Sequence, residues 1–408
     1  MKLSRYLFIA IAACLISCGP EDPIDDDNNN GKNDPVVDNS GNSSNDDTPD
    51  EPFIPSGKFV GADLSQWLAY TGDNAVWKDE NSKSITNLPQ YFADNGYNIA
   101  RLRLFVNPDL ASTACQDLDY VIASARAMRD AGMSICLDFH YSDTWADPGK
   151  QYKPAEWESL STADLADKVY TYTLSTLTTL RNENITPTHI QIGNEITAGM
   201  LWNDGRVSVW GDSGDKYDTE SQWSNFRLFL TRAAEACREA CPDAKIIVHI
   251  DRGGDAATAK RFYSRIDDID YDVIGLSYYP YWHGTPDELF GSLSQLSSTI
   301  STLSSNHANK EIMIVETGFG YNEWSDDSAT ANYGNYESTP EGQKKFLADL
   351  VTTLNRYDHV TGLFYWFPEE TYIDWRSVYR IDLNRGLFDK ETGKVLPAFY
   401  CLPEFAKE

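Results

Sequence analysis

Two glutamates each end an apolar stretch of the chain. Glu195 closes the run Thr188-His-Ile-Gln-Ile-Gly-Asn-Glu195, and Glu316 closes Glu311-Ile-Met-Ile-Val-Glu316. Glycoside hydrolysis needs two carboxyl groups that face each other across one sugar–oxygen bond. A glutamate at the end of a strand can also simply cap a following helix. Two of them in the same setting favour the catalytic interpretation.

The elements that would position these glutamates form a repeating pattern of strand and helix over residues 58–408. Continuous apolar runs indicate strands that are buried on both faces, as in a parallel barrel. A doubly wound open sheet would give a similar alternation, but the count of eight favours a single closed (β/α)8 TIM barrel. The predicted strands are Phe59–Asp63, Asn98–Phe105, Ser134–His140, Thr188–Glu195, Lys245–Asp251, Tyr271–Tyr279, Glu311–Glu316 and Thr361–Phe367.

Polar or aromatic side chains occupy nearly every carboxyl end of these strands. In a barrel they would line one mouth, which is where the chemistry of this fold takes place. They are Asp63, Arg103, His140, Glu195, Asp251, Tyr279, Glu316 and Trp366. The predicted helices are Leu88–Asn95, Leu118–Ala131, Asp164–Leu180, Gln222–Ala240, Ala256–Ile266, Leu289–Ser305, Pro340–Tyr357 and a short last helix over Pro397–Phe405.

The composition indicates a neutral, polar polymer as the binding partner. The chain has 408 residues, a formal net charge of −28 and 12% aromatic residues. Such a charge argues against nucleic acid, because phosphate backbones require patches of Lys and Arg. Aromatic faces and hydrogen bonds, rather than charge, would then bind the substrate.

Five cysteines lie in the body of the chain, at positions 115, 136, 237, 241 and 401. An odd number excludes a complete disulfide framework. Cys136 lies inside an apolar strand and is expected to be a small buried hydrophobe. Cys237 and Cys241 could pair or could face the core. No Cys/His pattern has the spacing of a zinc site, and no metal is predicted.

The N-terminus reads as an export signal followed by a tether. Lys2 and Arg5 precede an apolar run from Tyr6 to Ile16, which has the length of a secretory signal and is too short to span a bilayer. Leu15-Ile-Ser-Cys18 resembles a bacterial lipoprotein cleavage box, which implies that Cys18 carries the lipid. An ordinary cleaved signal with an incidental Cys18 is the alternative, and Ile11-Ala-Ala-Cys14 is a weaker second box.

The segment after Cys18 is strongly acidic. Residues 19–57 contain eleven Asp/Glu and one Lys among many Asn, Ser, Gly and Pro, a composition that predicts a disordered, self-repelling linker. Acidic residues directly after the lipid-bearing Cys resemble a surface-export signal of some Gram-negative bacteria. The expected organisation is a signal peptide at 1–17, a lipid-bearing Cys18 and linker over 18–57, and a catalytic barrel over 58–408. This predicts an outer-membrane, cell-surface lipoprotein.

Six motifs along residues 58–400 together resemble glycoside hydrolase family 53, the endo-β-1,4-galactanases, in order and in strand position. His140-Tyr-Ser-Asp-Thr-Trp-Ala-Asp-Pro-Gly149 is the most specific of them. The others are Gly61-Ala-Asp63, Arg101-Leu-Arg103, Gly193-Asn-Glu195, Ser277-Tyr-Tyr-Pro-Tyr-Trp-His-Gly284 and Val315-Glu316-Thr. The resemblance implies a secreted arabinogalactan endo-β-1,4-galactanase that cuts pectic galactan side chains.

By this resemblance Glu195 is the general acid/base and Glu316 the nucleophile of a retaining double displacement. Asn194 is expected to bind the sugar 2-OH, with a structural Asn at a strand end as the alternative. Arg103 and Tyr279 are expected to orient the nucleophile and keep it ionised. Arg101 is expected to point to the opposite side of its strand and to be a structural ion-pair residue.

The remaining binding residues are expected around the −1 sugar and in the loops. His140 is expected to contact that sugar or the acid, or else to be a structural histidine. Trp366 is predicted to form the floor under the −1 galactose, whose axial 4-OH leaves one ring face apolar. The loop residues Trp145, Trp202 and Trp282 are predicted to form platforms for other subsites, or else to plug the loop cores. Asp143 and His283 are predicted to bind sugar hydroxyls, and Asp251 is expected to line the cleft.

No cofactor is predicted. Some family members carry calcium in a long loop after strand eight, which is Phe367–Leu387 here, but this loop lacks an ordered Asp-x-Asp series. The alternatives to a galactanase are a related endo-glycanase for xylan, mannan or cellulose, and a non-catalytic, surface glycan-binding lipoprotein. A monomer is expected, bound to the membrane only through its lipid.

Overall fold

The computed structural model describes residues 57–209, 215–281, 291–322, 332–333, 336–374, 376–381 and 383–407. The predicted signal peptide, Cys18 and the predicted acidic linker up to residue 56 therefore lie outside the described residues, as do Trp282 and His283. No helix among the described residues is long and apolar enough to cross a membrane.

Eight parallel strands close into a barrel. They are β1 (Phe59–Asp63), β2 (Ile99–Leu104), β3 (Ser134–Phe139), β4 (His189–Ile192), β5 (Lys245–Ile250), β6 (Val273–Tyr278), β7 (Glu311–Thr317) and β8 (Val360–Trp366). Each strand pairs with its neighbours in chain order, and β8 pairs with β1 from Phe59↔Gly362 to Asp63↔Trp366. The predicted (β/α)8 barrel is confirmed.

Eight α-helices lie between the strands in the part of the chain that the structure describes. They are α1 (Trp67–Gly72), α2 (Leu88–Asp94), α3 (Leu118–Asp130), α4 (Thr162–Asn182), α5 (Glu220–Ala240), α6 (Ala256–Ser264), α7 (Leu293–Asn306) and α8 (Pro340–Leu354). Side chains cap most of them; Ser161, for example, accepts from the backbone N–H of Asp164. Gly96 and Gly132 follow α2 and α3 at positive φ, which is the expected C-terminal role of glycine.

The barrel interior is filled by inward-pointing side chains from different strands. These are Ile99, Cys136, Ile247, Val273, Met313, Val315 and Phe364, with Phe59 packed against them. Gly61 makes room for this layer, because a Cβ at that position would lie 2.0 Å from the Phe364 ring. The expected burial of Cys136 is confirmed, and Cys237 and Cys241 are buried free thiols that form no disulfide.

Two details of the helices differ from the prediction. The short last helix predicted over Pro397–Phe405 is divided into two 3-10 helices, Pro397–Tyr400 and Leu402–Ala406. Prolines at the start of both segments lack the backbone N–H that an α-helix needs in its interior. Helix α1 was not anticipated, since it spans only six residues.

Candidate active site

Glu195 follows β4 in an unusual backbone conformation. It has φ 47° and ψ 50°, the left-handed region, directly after Gly193 at φ 105° and Asn194. A non-glycine residue in this region costs free energy of order 1–3 kcal/mol and persists only where its surroundings hold it there. Here its backbone N–H donates to His249 Nδ1 at 3.3 Å. The turn places the Glu195 side chain at the carboxyl-end mouth of the barrel.

Glu316 is the sixth residue of β7 and is almost completely buried, with 5% of its surface exposed. Its Oε1 lies 2.9 Å from Arg101 Nη2, and its Oε2 accepts the Tyr279 hydroxyl at 3.1 Å. A cation and a phenol donor therefore fix both oxygens of this carboxyl group.

Ser277 of β6 links the two glutamates. In the barrel register its Cα is paired with that of Glu316, and its Oγ donates to Glu195 Oε1 at 2.7 Å. The two carboxyl groups thus meet at one mouth of the barrel, close enough that the charge of Glu316 raises the pKa of Glu195. This arrangement is the one that hydrolysis across a single glycosidic bond requires.

The environments of the two carboxyl groups differ. Burial and then the neighbouring Glu316 raise the pKa of Glu195 well above its ordinary value, which keeps a proton on this group at neutral pH. Burial also raises the pKa of Glu316, to about 7, while Arg101 acts to lower it. The cation beside Glu316 favours ionisation of that group first, so Glu195 is the group of the pair that the environment favours to keep its proton.

The roles expected of the two arginines in β2 are the wrong way round. Arg101, and not Arg103, contacts Glu316; Arg103 Nη1 instead pairs with Asp63 Oδ1 at 2.9 Å. The expectation that these arginines face opposite sides was also wrong. Residues two apart on a strand share a face, and both side chains are buried on the barrel interior with Asp63.

Asn194 and His140 lie in the network around these charges. Asn194 Oδ1 accepts from Arg101 at 2.8 Å, and its Nδ2 donates to the Ala146 carbonyl at 2.9 Å. His140 Nδ1 accepts from the Ala146 N–H at 3.2 Å, and its Nε2 lies 3.1 Å from Asp138 Oδ2. Both ring nitrogens of His140 therefore have protein partners, which favours the structural alternative for this residue.

Three aromatic side chains form the wall of the mouth. The half-buried Trp366 at the end of β8 lies edge-to-face against Trp145 and Tyr279, with ring centroids 6.4 Å apart in each case. Trp145 is itself fixed, since its indole N–H donates to Thr113 at 3.1 Å and Arg103 stacks over its ring at 4.6 Å. An apolar sugar face can lie against such a surface.

The other predicted loop residues that the structure describes make hydrogen bonds within and between the loops. Asp143 accepts backbone N–H groups from Asn107 at 3.0 Å and Ala155 at 2.9 Å, so it joins two loop segments. Asp251 accepts the Thr197 hydroxyl and acts on the pKa of Glu195. Trp202 donates to the Ala198 carbonyl at 2.9 Å.

Four residues of the network were missed by the sequence reasoning about the site. Asp138 Oδ2 lies 2.9 Å from Arg101, Gln191 contacts Arg101 and Asp138, and Ser277 and His249 lie behind Glu195. All four are polar residues inside strands that otherwise consist largely of apolar residues. Buried polar groups need partners, so their position was itself a usable signal.

No group of three or more His, Cys, Asp or Glu in the described part of the chain could hold a metal ion. In the loop where calcium was considered, Glu370 accepts four backbone N–H groups, two on each oxygen, from Leu383, Asn384, Arg385 and Gly386. Its carboxylate therefore organises this loop directly.

Comparison with known proteins gives a consistent set of relatives. The sequence profile described as glycosyl hydrolase family 53 matches residues 59–402. An arabinogalactan endo-β-1,4-galactanase of Thermothelomyces thermophilus is 34% identical over 324 residues, which cover 76% of this chain and 89% of that protein. A solved fungal β-1,4-galactanase superposes with a TM-score of 0.71 at 30% identity, covering 85% and 99% of the two chains. The GH53 catalytic domain of Ignisphaera aggregans superposes with a TM-score of 0.73 at 28% identity, covering 86% and 98%.

Proposed function

The chain belongs to glycosyl hydrolase family 53, and from that membership we propose that it is an arabinogalactan endo-β-1,4-galactanase. It hydrolyses internal β-1,4-galactosidic bonds of galactan and type I arabinogalactan and releases galacto-oligosaccharides. The observation that carries this proposal is the pairing of Glu195 and Glu316 at one barrel mouth, joined through Ser277. Named galactanase relatives of similar length give the substrate class.

In the first step of the proposed mechanism, the Glu316 carboxylate attacks C1 of the −1 galactose. The bond between C1 and the leaving oxygen breaks, and Glu195 transfers its proton to that oxygen. Arg101 and Tyr279 hold the Glu316 oxygens in position, so little reorganisation is needed as the new bond forms.

In the second step, water replaces the leaving sugar. Esterification has removed the negative charge of Glu316, which is one cause of the raised pKa of Glu195. The pKa of Glu195 therefore falls, and its carboxylate takes a proton from the water as the water oxygen attacks C1. Glu316 is released, and the configuration at C1 is retained after two inversions.

The substrate is positioned by the surrounding side chains. Trp366 forms the floor under the apolar face of the −1 galactose, and Trp145 continues this surface. Asn194 lies beside Glu195 and is assigned to the 2-OH of the same sugar, a contact that strengthens in the transition state. Each of these roles is part of the proposal.

Purified protein incubated with linear β-1,4-galactan, xylan, mannan and cellulose tests the function. We expect a ladder of short galacto-oligosaccharides from galactan and newly formed β-anomers in early NMR spectra. A single exo-type product, an α-anomer, or faster release from xylan or mannan would contradict the proposal. No reducing sugar from any polymer would favour the glycan-binding alternative.

We also propose that Cys18 is lipid-modified and anchors the enzyme at the cell surface through the acidic linker. The support is the Leu15-Ile-Ser-Cys18 sequence and the acidic stretch after it. Mass spectrometry of the mature N-terminus should find a diacylglyceryl Cys18, and Cys18→Ala should release active protein from the membrane fraction. Membrane retention of that variant would contradict the anchor while leaving the hydrolase assignment intact.

A further inference from the structure

Ser277 and His249 lie directly behind Glu195 and have no role in the mechanism above. The Ser277 Oγ donates to Glu195 Oε1 at 2.7 Å, and His249 Nε2 lies 2.8 Å from the same Oγ. Both side chains are completely buried, on the neighbouring strands β6 and β5. His249, Ser277 and Glu195 are therefore joined by a buried chain of hydrogen bonds, which ends at the Oε1 atom of Glu195.

The groups around His249 Nδ1 set the direction of this hydrogen-bond chain. Two donors lie beside that nitrogen, the backbone N–H of Glu195 at 3.3 Å and the side-chain amide of Gln191 at 3.1 Å, against one acceptor, Asn194 Oδ1, at 3.2 Å. Neither N–H donor can accept, so an acceptor Nδ1 satisfies both of them. Burial, and then the charge of Arg101, lower the pKa of His249 well below its ordinary value, so the ring is neutral. Its one proton is therefore on Nε2 and points to Ser277 Oγ. The Ser277 hydrogen is left to point at Glu195 Oε1.

We propose that Ser277, oriented by His249, is a positioning residue that makes Glu195 Oε1 a hydrogen-bond acceptor and thereby places the acidic proton on Oε2. This inference rests on the proposed function. When the glycosidic bond breaks, the proton leaves Oε2 for the departing oxygen. When water attacks, a proton returns to Oε2, and the hydrogens of Ser277 and His249 stay in place through both steps.

The charged groups around this chain determine the expected pH response. Glu316 on β7, Asp251 after β5 and Asp147 after β3 all raise the pKa of Glu195, whereas the Ser277 hydrogen bond lowers it. Around His249, the titratable neighbours are Arg101, Asp138 and His140. Loss of the Ser277 hydroxyl therefore raises the pKa of Glu195 and moves the alkaline limb of activity to higher pH.

Two substrates separate positioning of the acid from general damage. The sugar leaving group of galactan needs a proton, whereas 4-nitrophenolate, which leaves from 4-nitrophenyl β-galactobioside, does not. For Ser277→Ala we expect kcat/KM on galactan to fall roughly 10-fold or more, because a positioned general acid contributes about 10²–10⁴-fold. We expect a much smaller fall on the aryl galactoside and an alkaline limb at higher pH.

Equal losses on both substrates, or an unchanged pH profile, would overturn the inference. Ser277→Thr, which keeps the hydroxyl, should restore the wild-type ratio between the substrates. If the alanine variant does not fold, Ser277→Cys keeps the volume, supplies only a weak donor and should show the same change of ratio. Ser124→Ala removes a buried hydroxyl in α3 and is the matched control. Wild-type protein that does not cleave galactan would instead refute the proposed function.

Discussion

Arg101 Nη2 lies 2.9 Å from Glu316 Oε1; the Arg101 side chain is fully buried, and only 5% of the surface of Glu316 is exposed. The same guanidinium lies 2.7 Å from Asp63 Oδ2 and 2.9 Å from Asp138 Oδ2. One cation therefore neutralises acidic side chains from three strands, β1, β3 and β7. This network holds the proposed nucleophile in one orientation, and Glu195 is held by a separate set of donors.

The contact between Arg101 and Glu316 leads to the first prediction. Arg101→Lys keeps a positive charge but loses the planar fork that reaches several acceptors at once. We expect kcat to fall by about 10²-fold, since misplacement of a catalytic group by about 1 Å has that order of effect. The weaker cation also raises the pKa of Glu316, so the acidic limb of kcat/KM should move to higher pH.

Arg103→Lys is the matched comparison, because Arg103 lies on the same strand face but pairs with Asp63 and stacks on Trp145. We expect a smaller loss, expressed mainly in KM through the displaced Trp145, and an unchanged acidic limb. A larger effect on kcat from Arg103→Lys than from Arg101→Lys would show that the Arg101–Glu316 ion pair does not govern the nucleophile.

The second prediction concerns the nucleophile itself. Glu316→Ala removes the group that forms the glycosyl-enzyme bond. Turnover of galactan should fall by at least roughly 10³-fold, because Glu316 and Glu195 act as one catalytic unit and loss of either disables the unit. Binding of galacto-oligosaccharides, measured by calorimetry, should persist. Glu311→Ala is the control, because Glu311 starts the same strand at the opposite end of the barrel and pairs with Lys245. Near-normal turnover of Glu316→Ala would refute the assignment.

The fold was predictable because a (β/α)8 barrel requires apolar strands and helices to alternate regularly along the sequence. All eight strands were found, since strands buried on both faces read as continuous apolar runs. Their ends differ from the prediction by at most three residues. Glu195 was placed at the end of strand four, for example, whereas the ladder ends at Ile192 and Glu195 belongs to the turn that follows. The prediction counted polar residues that follow the last hydrogen-bonded pair as part of the strand.

The site was predictable only in part, because its contacts depend on barrel closure. The convergence of Glu195, Glu316 and Tyr279 follows from strand order alone. Which arginine reaches Glu316 depends on the two-residue alternation of β2 and on register with its neighbours. The hydrogen bond from Ser277 to Glu195 joins residues 82 positions apart, so no local pattern could indicate it.

The third prediction concerns the ionisation of Glu316. Tyr279→Phe removes the hydroxyl that donates to its Oε2 at 3.1 Å and that lowers its pKa. The pKa of Glu316 should therefore rise above about 7, and the acidic limb of kcat/KM should move to higher pH. The rate should fall about 10-fold or more, because hydrogen bonds to charged groups contribute about 1.5–3 kcal/mol.

Tyr278→Phe is the control for this change. Tyr278 is the preceding residue and points to the helix layer, where its ring stacks on Phe346 of α8. It should leave the pH profile of kcat/KM unchanged. A shift of the acidic limb in both variants would indicate a general disturbance of β6 rather than loss of one hydrogen bond.

The fourth prediction concerns the aromatic floor of the site. Trp366→Ala removes the surface that the −1 galactose is proposed to lie against, and kcat/KM on galactan should fall about 10-fold or more, since aromatic contacts contribute about 0.5–1.5 kcal/mol beyond the area that they bury. Trp366→Phe should recover part of the loss. Kinetics on linear galactan measure both variants, and equal activity of Trp366→Ala and wild type would remove Trp366 from the site.

The last prediction concerns stability at high pH and depends on Glu369. This carboxyl group is fully buried, its Oε1 accepts the Gln66 N–H at 2.8 Å, and its Oε2 has no hydrogen-bond partner in the described part of the chain. Burial and then the charge of Asp63 raise its pKa from the ordinary 4.5 to about 8. Because the folded pKa is the higher one, the group's contribution to stability is complete below about pH 4.5 and is lost as the pH rises through about 8.

Glu369→Gln cannot ionise and keeps the acceptor for Gln66. Its free energy of unfolding relative to wild type should therefore increase with pH, by on the order of a few kcal/mol between pH 4.5 and pH 9, since each pKa unit corresponds to about 1.4 kcal/mol. Denaturant unfolding at a series of pH values measures this difference. Glu370→Gln serves as the comparison variant. The Glu370 oxygens accept four backbone N–H groups, and the glutamine side chain would place its own NH2 group against two of these N–H donors. That variant should be destabilised across the whole range, and a Glu369→Gln difference that does not vary with pH would show that Glu369 is already ionised in the folded protein.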